Sequence, residues 1–558
     1  MKNTNRNTLL LFVLVTLLMN AAKAQNTLNE DTFIVVSEFQ PILTDAVKIK
    51  DNPDLTDTTK MDIDVKYSTL KKTIQSQLDV ESIKPARIKG EPLVRLYKHY
   101  LKLGIGMYTT PLAEYHFMSK RNKKWMYDFS ANHLSSKGLN KINYAGFSDN
   151  LVQAFVKRAD KKFAFSNRAY FQRNVMHYYG LPDTSSVEIT NKDTVKQRYA
   201  IFGYEGSYTK YEEDTGKIGY TVYGGGYYLN DLQNVNELNV KVGANGGQFT
   251  GSEWYRLNAY FDYYKPQNAI DSTGNGILAL EPKISTIAKK WRLNVGIGIY
   301  IDADNTARFH FYPQAEFKYN VVGDIIIPYI GINGKMKRNS IRTLFTENRF
   351  INPNIELINT NEKLQLYAGI RGQASKRISF NLKGMKYTNE NQPLFVLDTT
   401  DVMNNKFTVV YDKVSTTKYS AQLAYENRDK LKILLNAQYA DYTTKNELKA
   451  WNLPQLQAKL VFSYNLQQKI IAHATLFYVG KRYGRIIETL NTTEGNITTY
   501  NAQTLKAYID ANIGFEYRYT KRLSAYINFT NIAATKYYKW QQYKVQGFGI
   551  LGGLSYSF

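Results

Sequence analysis

The sequence predicts an all-β protein, a closed antiparallel transmembrane β-barrel of roughly 20–22 strands preceded by a short N-terminal periplasmic or lumenal segment. Three observations predict it. The chain opens on a secretory signal, it then alternates apolar and polar residues over long runs, and it ends on a strand whose last residue is aromatic.

Residues 1–24 read as a signal peptide. Lys2 and Arg6 make a positive start, Leu9 to Met19 is apolar apart from Thr16, and Ala22-Lys23-Ala24 offers small residues for cleavage before Gln25. The apolar run is too short to span a bilayer, and a mean hydropathy of −0.42 excludes a polytopic helical membrane protein. The segment 25–95 follows. It contains the hydrophobic stretch Asp31-Thr32-Phe33-Ile34-Val35-Val36 and a turn-rich piece with Asp51, Asp54 and Asp57.

From residue 96 to 558 the dominant period is two, as in strands whose two faces meet different solvents. In Trp291 to Asp302, the face Trp291, Leu293, Val295, Ile297, Ile299, Ile301 alternates with Arg292, Asn294, Gly296, Gly298, Tyr300, Asp302. The segments 455–464 and 509–517 behave alike. Soluble sandwiches alternate over five or six residues, whereas these runs last for about nine to twelve, the length a tilted strand needs to cross a membrane. So many strands leave unpaired edges in lipid unless the sheet closes.

The last strand places Phe548, Ile550, Gly552, Leu554, Tyr556 and Phe558 on one face. An aromatic carboxy-terminus of this kind looks like the signal that barrel assembly machinery reads, with Phe548, Ile550, Leu554, Tyr556 and Phe558 as its apolar face.

Several stretches carry a resemblance. Asn531-Ile532, Lys536-Tyr537-Tyr538, Trp540 and Gly547 before the final strand resemble the end of TonB-dependent receptors, as does Tyr478-Val479-Gly480-Lys481-Arg482-Tyr483 upstream. Phe39-Gln40-Pro41, Gly104-Ile105-Gly106-Met107-Tyr108-Thr109-Thr110-Pro111-Leu112, His133-Leu134-Ser135-Ser136-Lys137-Gly138 and Asn352-Pro353-Asn354 resemble a group of Bacteroidota outer-membrane proteins described as TonB-dependent-receptor-like. The resemblance implies a 22-stranded barrel, outer-membrane transport and, in that family, a plug domain of well over a hundred residues. Here only residues 25–95 precede the barrel, so a full plug is expected to be missing. Asp31–Val36 resembles the box that contacts TonB, and its plainer reading is a short periplasmic strand.

The chemistry-bearing residues point away from an enzyme, and no cofactor is expected. The 558 residues contain no Cys, which removes disulfides, Cys-bound metals and thiol nucleophiles. None of the six histidines has helical zinc spacing, and no helix is expected to carry such a site. His133 beside Ser135 and Ser136, Ser68-Thr69-Leu70-Lys71 and Ser148-Asp149-Asn150 are fragments of catalytic patterns without their partners. The inward faces place Lys241, Arg256, Arg292, Lys432 and Lys459 against Asp262, Asp302, Asp510 and Glu516 in the lumen, a mixed wall rather than a one-sided selectivity ring.

The formal charge of +24 loses Lys2, Arg6 and Lys23 with the signal peptide, and location excludes nucleic acid as its partner. Expected partners are outer-membrane lipids and lipopolysaccharide, the assembly machinery during biogenesis, and TonB or a surface lipoprotein. The expected location is the Gram-negative outer membrane. The function this supports is solute transport across that membrane; the alternative is a non-transporting barrel subunit of an envelope machine for secretion or outer-membrane assembly.

Overall fold

The computed structural model describes residues 96–558, apart from 140–141, 183–188, 213, 215, 304–306, 323–324 and 493–494 and the side chains of 488–498. The signal peptide, the segment 25–95 with Asp31–Val36, and Ser68–Lys71 lie outside the described residues.

Twenty-two antiparallel strands form one sheet that closes on itself. Each pairs with its sequence neighbour, and the seam joins the first, His99–Gly106, to the last, Gly549–Ser557, from Tyr100↔Ser557 to Gly106↔Leu551. Closure gives every strand a partner on both sides, as a sheet in lipid requires, although Ala307–Tyr319 meets Ile327–Lys337 only from Ala315↔Ile332 to Lys318↔Tyr329. Two further hairpins stand outside this sheet, Arg482–Thr492 with Gly495–Leu505 and Tyr538–Trp540 with Tyr543–Lys544. No helix is long and apolar enough to cross a membrane among the described residues.

The outer face is apolar and its cross-strand partners agree. Leu103 lies opposite Leu554 and Leu101 opposite Tyr556, with Leu103 and Leu554 about half exposed and Ile105 72% exposed. In water such a surface is unfavourable; in a bilayer it is the lipid contact. Ten short turns close one end, which also carries Leu96 and Phe558, and the longer connections gather at the other. By the rule for such barrels the first end is periplasmic and the second faces outward.

The abundance of Tyr (45) and Gly (35) has a structural cause on the inner face. Tyr170 lies opposite Gly203, Tyr223 opposite Gly243, Tyr329 opposite Gly369 and Tyr367 opposite Gly331. In each pair a Cβ on the glycine would meet the tyrosine ring. The ring lies flat over a neighbour that has no side chain, which covers the glycine and frees the hydroxyl to reach a further strand. Tyr329 Oη donates to Asn381 Oδ1 at 2.7 Å and Tyr367 Oη to Glu316 Oε2 at 3.1 Å.

Strand length departs from the sequence expectation. Barrel strands run from 8 residues at His99–Gly106 to 20 and 21 at Ile378–Leu397 and Phe407–Asn427. A tilted strand needs only about nine to eleven residues in the membrane, so the excess projects outward. Two short helices, α1 (Lys192–Val195) and α2 (Ile341–Glu347), sit in outer loops. Seven residues give less than two full turns of periodicity, too little to register against the strand pattern. Ser340 starts α2, its hydroxyl accepting from Thr343 N while the Thr343 hydroxyl accepts from Ser340 N.

Candidate functional site

The outer mouth of the barrel is bridged by its own loops. The connection 338–359, which contains α2, buries Ile341, Leu344, Phe345, Phe350, Ile351, Ile355 and Leu357. They pack in one cluster with Tyr178 and Ile189 from the loop 178–195, Tyr199 and Ile201 from a wall strand, Phe407 at the base of the loop 398–406, and Tyr543 from the loop 531–548. Phe350 and Tyr543 stack with ring centroids 3.7 Å apart, and Tyr199 meets Phe345 at 4.1 Å. Each such side chain contributes roughly 1.5–3 kcal/mol by leaving water. Elements from distant parts of the chain therefore share one core.

Several polar groups of the cap are paired within it, although Asn348 Nδ2, Asn359 Oδ1 and Asn405 Oδ1 are buried without a hydrogen bond. Tyr178 Oη donates to Ile351 O at 2.8 Å, Asn405 Nδ2 donates to Tyr178 O at 2.6 Å, and the Tyr543 hydroxyl donates to Asn405 O. Asn352 N donates to Phe407 O at 2.7 Å and Phe407 N to Phe350 O at 2.9 Å, so the loop adds a short parallel bridge to the rim. Buried Glu237 accepts from Tyr227 Oη at 2.5 Å and from Ile341 N at 2.6 Å, holding the first turn of α2. Arg342 reaches Tyr170 Oη at 2.7 Å and lies 4.4 Å over the Tyr227 ring. Arg349 pairs with Asp149 at 3.0 Å.

Lys241, Arg256, Asp262, Arg292, Asp302, Lys432, Lys459, Asp510 and Glu516 occupy the strand positions that alternate with the exposed apolar set. The structure gives three of the acids a more specific role. Asp262 is paired with Arg338, Asp302 accepts from Asn359 Nδ2 at 2.9 Å, and Asp510 accepts from Tyr537 Oη at 2.8 Å. These partners belong to the loops 338–359 and 531–548, so the three wall carboxylates anchor the cap. Lys241 also approaches Asp262, at 4.0 Å, and Glu516 is paired with Arg518 at 2.9 Å. Arg256 donates to Ser285 Oγ at 2.8 Å, and Lys432 pairs with Glu426 at 3.9 Å. Arg292 and Lys459 have no carboxylate within ion-pair distance among the described residues.

The mixed wall is much richer than those nine positions. Lys102–Glu114 at 3.2 Å, Lys318–Glu316 at 2.6 Å and Lys283–Glu281 at 3.7 Å add to it. Glu347 and Lys539 both keep solvent access, yet burial pushes the Glu347 carboxyl up. Burial, then the charges of Arg349 and Arg482, push the Lys539 ammonium down.

Sequence reasoning missed the cap. Its residues sit in irregular connections without period, and the stretches there that carry a resemblance, Asn352-Pro353-Asn354 and Asn531-Ile532 through Gly547, give no sign that they pack together. In the final strand, Gly549–Ser557, Ile550, Leu554 and Tyr556 share the outward face with Phe558 after it, and Phe548 stacks on Phe529 at 6.4 Å just before it. Of the catalytic fragments, His133 hydrogen-bonds Asn150 and Ser135 (2.6 and 3.0 Å) within the wall, and Asp149 of Ser148-Asp149-Asn150 is the partner of Arg349. No group of three or more metal-ligating side chains occurs among the described residues.

No family model and no curated protein matches the chain. Solved structures do. The FrpB iron transporter from Neisseria meningitidis (F3-3 variant) is similar over 84% of this chain and 82% of its own, with 11% identity and a TM-score of 0.62. The siderophore receptor PirA from Acinetobacter baumannii is similar over 84% and 81%, at 8% identity and a TM-score of 0.62. The ferripyoverdine receptor of the Pseudomonas aeruginosa outer membrane, bound to ferripyoverdine, is similar over 84% and 72%, at 12% identity and 0.56. At such identities the likeness concerns the fold, and the fold is that of an outer-membrane β-barrel of the TonB-dependent-receptor type.

Proposed function

We propose that this chain is a solute transporter of the outer membrane, TonB-dependent-receptor-like, whose outer mouth is held shut by its own loops until a solute or partner releases them. The observation that carries the reading is the anchoring of the cap by Asp262, Asp302 and Asp510 of the inner wall. A polar solute that contacts those carboxylates competes directly with Arg338, Asn359 and Tyr537 for them. The likeness to an iron transporter and a ferripyoverdine receptor supports transport as the use of such a barrel. A Bacteroidota origin, contact with TonB through Asp31–Val36, a surface lipoprotein partner and the lack of a full plug in residues 25–95 belong to the same proposal. The test is uptake: a strain lacking the protein should lose growth on a limiting solute and regain it with the intact gene. Removing Gln25–Arg95 should open a leak if that segment also blocks the lumen.

A second reading is favoured by one feature, the completeness of the cap core. A mouth sealed by a hydrophobic core suits a barrel that anchors an envelope machine and never conducts. Purification from the native membrane in mild detergent separates the two. A stoichiometric multi-protein assembly with no solute phenotype would displace transport.

A further inference from the structure

The basic charge of the barrel is concentrated at one rim. The ten turns at the end that carries Leu96 and Phe558 comprise only 41 residues, yet contain 16 Lys and Arg against 6 Asp and Glu. The eleven connections of the opposite end comprise 134 residues with 16 Lys and Arg against 13 Asp and Glu. The turns 160–162, 288–290 and 376–377 contribute the pairs Lys161-Lys162, Lys289-Lys290 and Lys376-Arg377, all exposed. None of these six has a carboxylate within ion-pair distance among the described residues, whereas Lys124 in the turn 119–124 has Asp160 at 3.9 Å.

We propose that this rim is a binding surface for anionic glycerophospholipid headgroups of the inner leaflet of the outer membrane. Three features favour lipid over an acidic protein. Seven of the ten turns are net basic, six of them adjacent from 376–377 across the seam to 160–162 and the seventh at 288–290, an arc of more than half the circumference that a row of lipids can line. They are short, so their charges sit where the strands leave the apolar band. The outward-facing aromatics at that end, among them Trp125, Trp291 and Tyr517, mark the interface, and Arg158 and Lys469 lie over Trp125 and Tyr517 at 5.5 and 5.7 Å. Lysine and arginine beside such a girdle meet phosphate at the depth where headgroups lie. Lipopolysaccharide phosphates belong to the opposite leaflet, where the connections are nearly balanced in charge.

The experiment uses the full-length protein in phosphatidylcholine vesicles containing phosphatidylglycerol, with annular lipid read by spin-label or native mass-spectrometric selectivity. The intact protein should enrich phosphatidylglycerol several-fold over bulk, and salt should weaken the enrichment, a reading that needs no variant. Replacing Lys289, Lys290, Lys376 and Arg377 with Gln should reduce it, while Lys445→Gln, Lys449→Gln, Lys481→Gln and Lys536→Gln at the outer end should leave it unchanged. Heat-modifiable gel mobility confirms that each variant is a folded barrel. The proposal is overturned if the intact protein shows no anionic preference, or if both variant sets lower it equally. It is overturned as well if the turn variants keep lipid selectivity but lose a copurifying acidic periplasmic protein.

Discussion

Tyr543 is the residue on which the cap most visibly depends. It is 1% exposed, stacks on Phe350, and donates to Asn405 O. Tyr543→Phe keeps the ring and should cost about 1 kcal/mol, the net worth of one hydrogen bond. Tyr543→Ala leaves a cavity and should cost about 3–5 kcal/mol. Amide exchange in 341–357 reads both, and equal effects would mean that the ring does not pack as described. Gly203→Ala would press a methyl into the Tyr170 ring and should destabilise the wall by about 1–3 kcal/mol, measured by denaturant unfolding in detergent.

Glu347 gives the cap a pH dependence. Its carboxyl is raised by burial, so the folded cap holds this proton more tightly than the unfolded loop does. The contribution is present below the ordinary value of 4.5 and is lost as pH rises through the raised one. Exchange in α2 should therefore be slower near about pH 4 than near about pH 7 after correction for intrinsic rates, and Glu347→Gln should remove the difference. At this scale the sequence was only partly legible. The parity of Asp262, Asp302 and Asp510 follows from alternation, but their partners Arg338, Asn359 and Tyr537 lie in loops that no period places.

Strands were legible where two different solvents forced the alternation, as in Trp291–Ala303. The ends of Ile378–Leu397 and Phe407–Asn427 were not, because beyond the bilayer the outward face no longer has to be apolar. The helix α2 was hidden for the opposite reason: it is short, and its apolar residues are chosen by the loops they meet. The last strand combines both lessons. Phe558 faces outward, stacks on His99 at 4.8 Å, and its carbonyl accepts from His99 N at 3.0 Å across the seam. Phe558→Ala removes an aromatic contact worth about 0.5–1.5 kcal/mol. A stability loss of that size with a much larger fall in assembled barrel would separate recognition by the assembly machinery from packing. Proportionate losses would make Phe558 a seam residue alone.

The whole molecule is unequal at its two ends. One is a set of short turns that together are strongly basic, the other a set of long connections with nearly balanced charge and a shared hydrophobic core. The mean hydropathy and net charge of the chain conceal both features, because they average over faces and rims. Closure, strand number near twenty and membrane location were readable from the sequence, since lipid imposes them on every strand. The cap was not, since it arises from contacts between segments such as Tyr178 and Ile351, 173 residues apart.

The most direct measurement is single-channel conductance of the intact protein in planar bilayers, beside a variant in which 341–358 is replaced by a short Gly-Ser linker. A mouth closed by its own loops predicts that the intact protein is silent or flickers briefly, and that the variant admits larger and longer openings once Gln25–Arg95 is also removed. Large, steady conductance from the intact protein, unchanged by either deletion, would contradict the account.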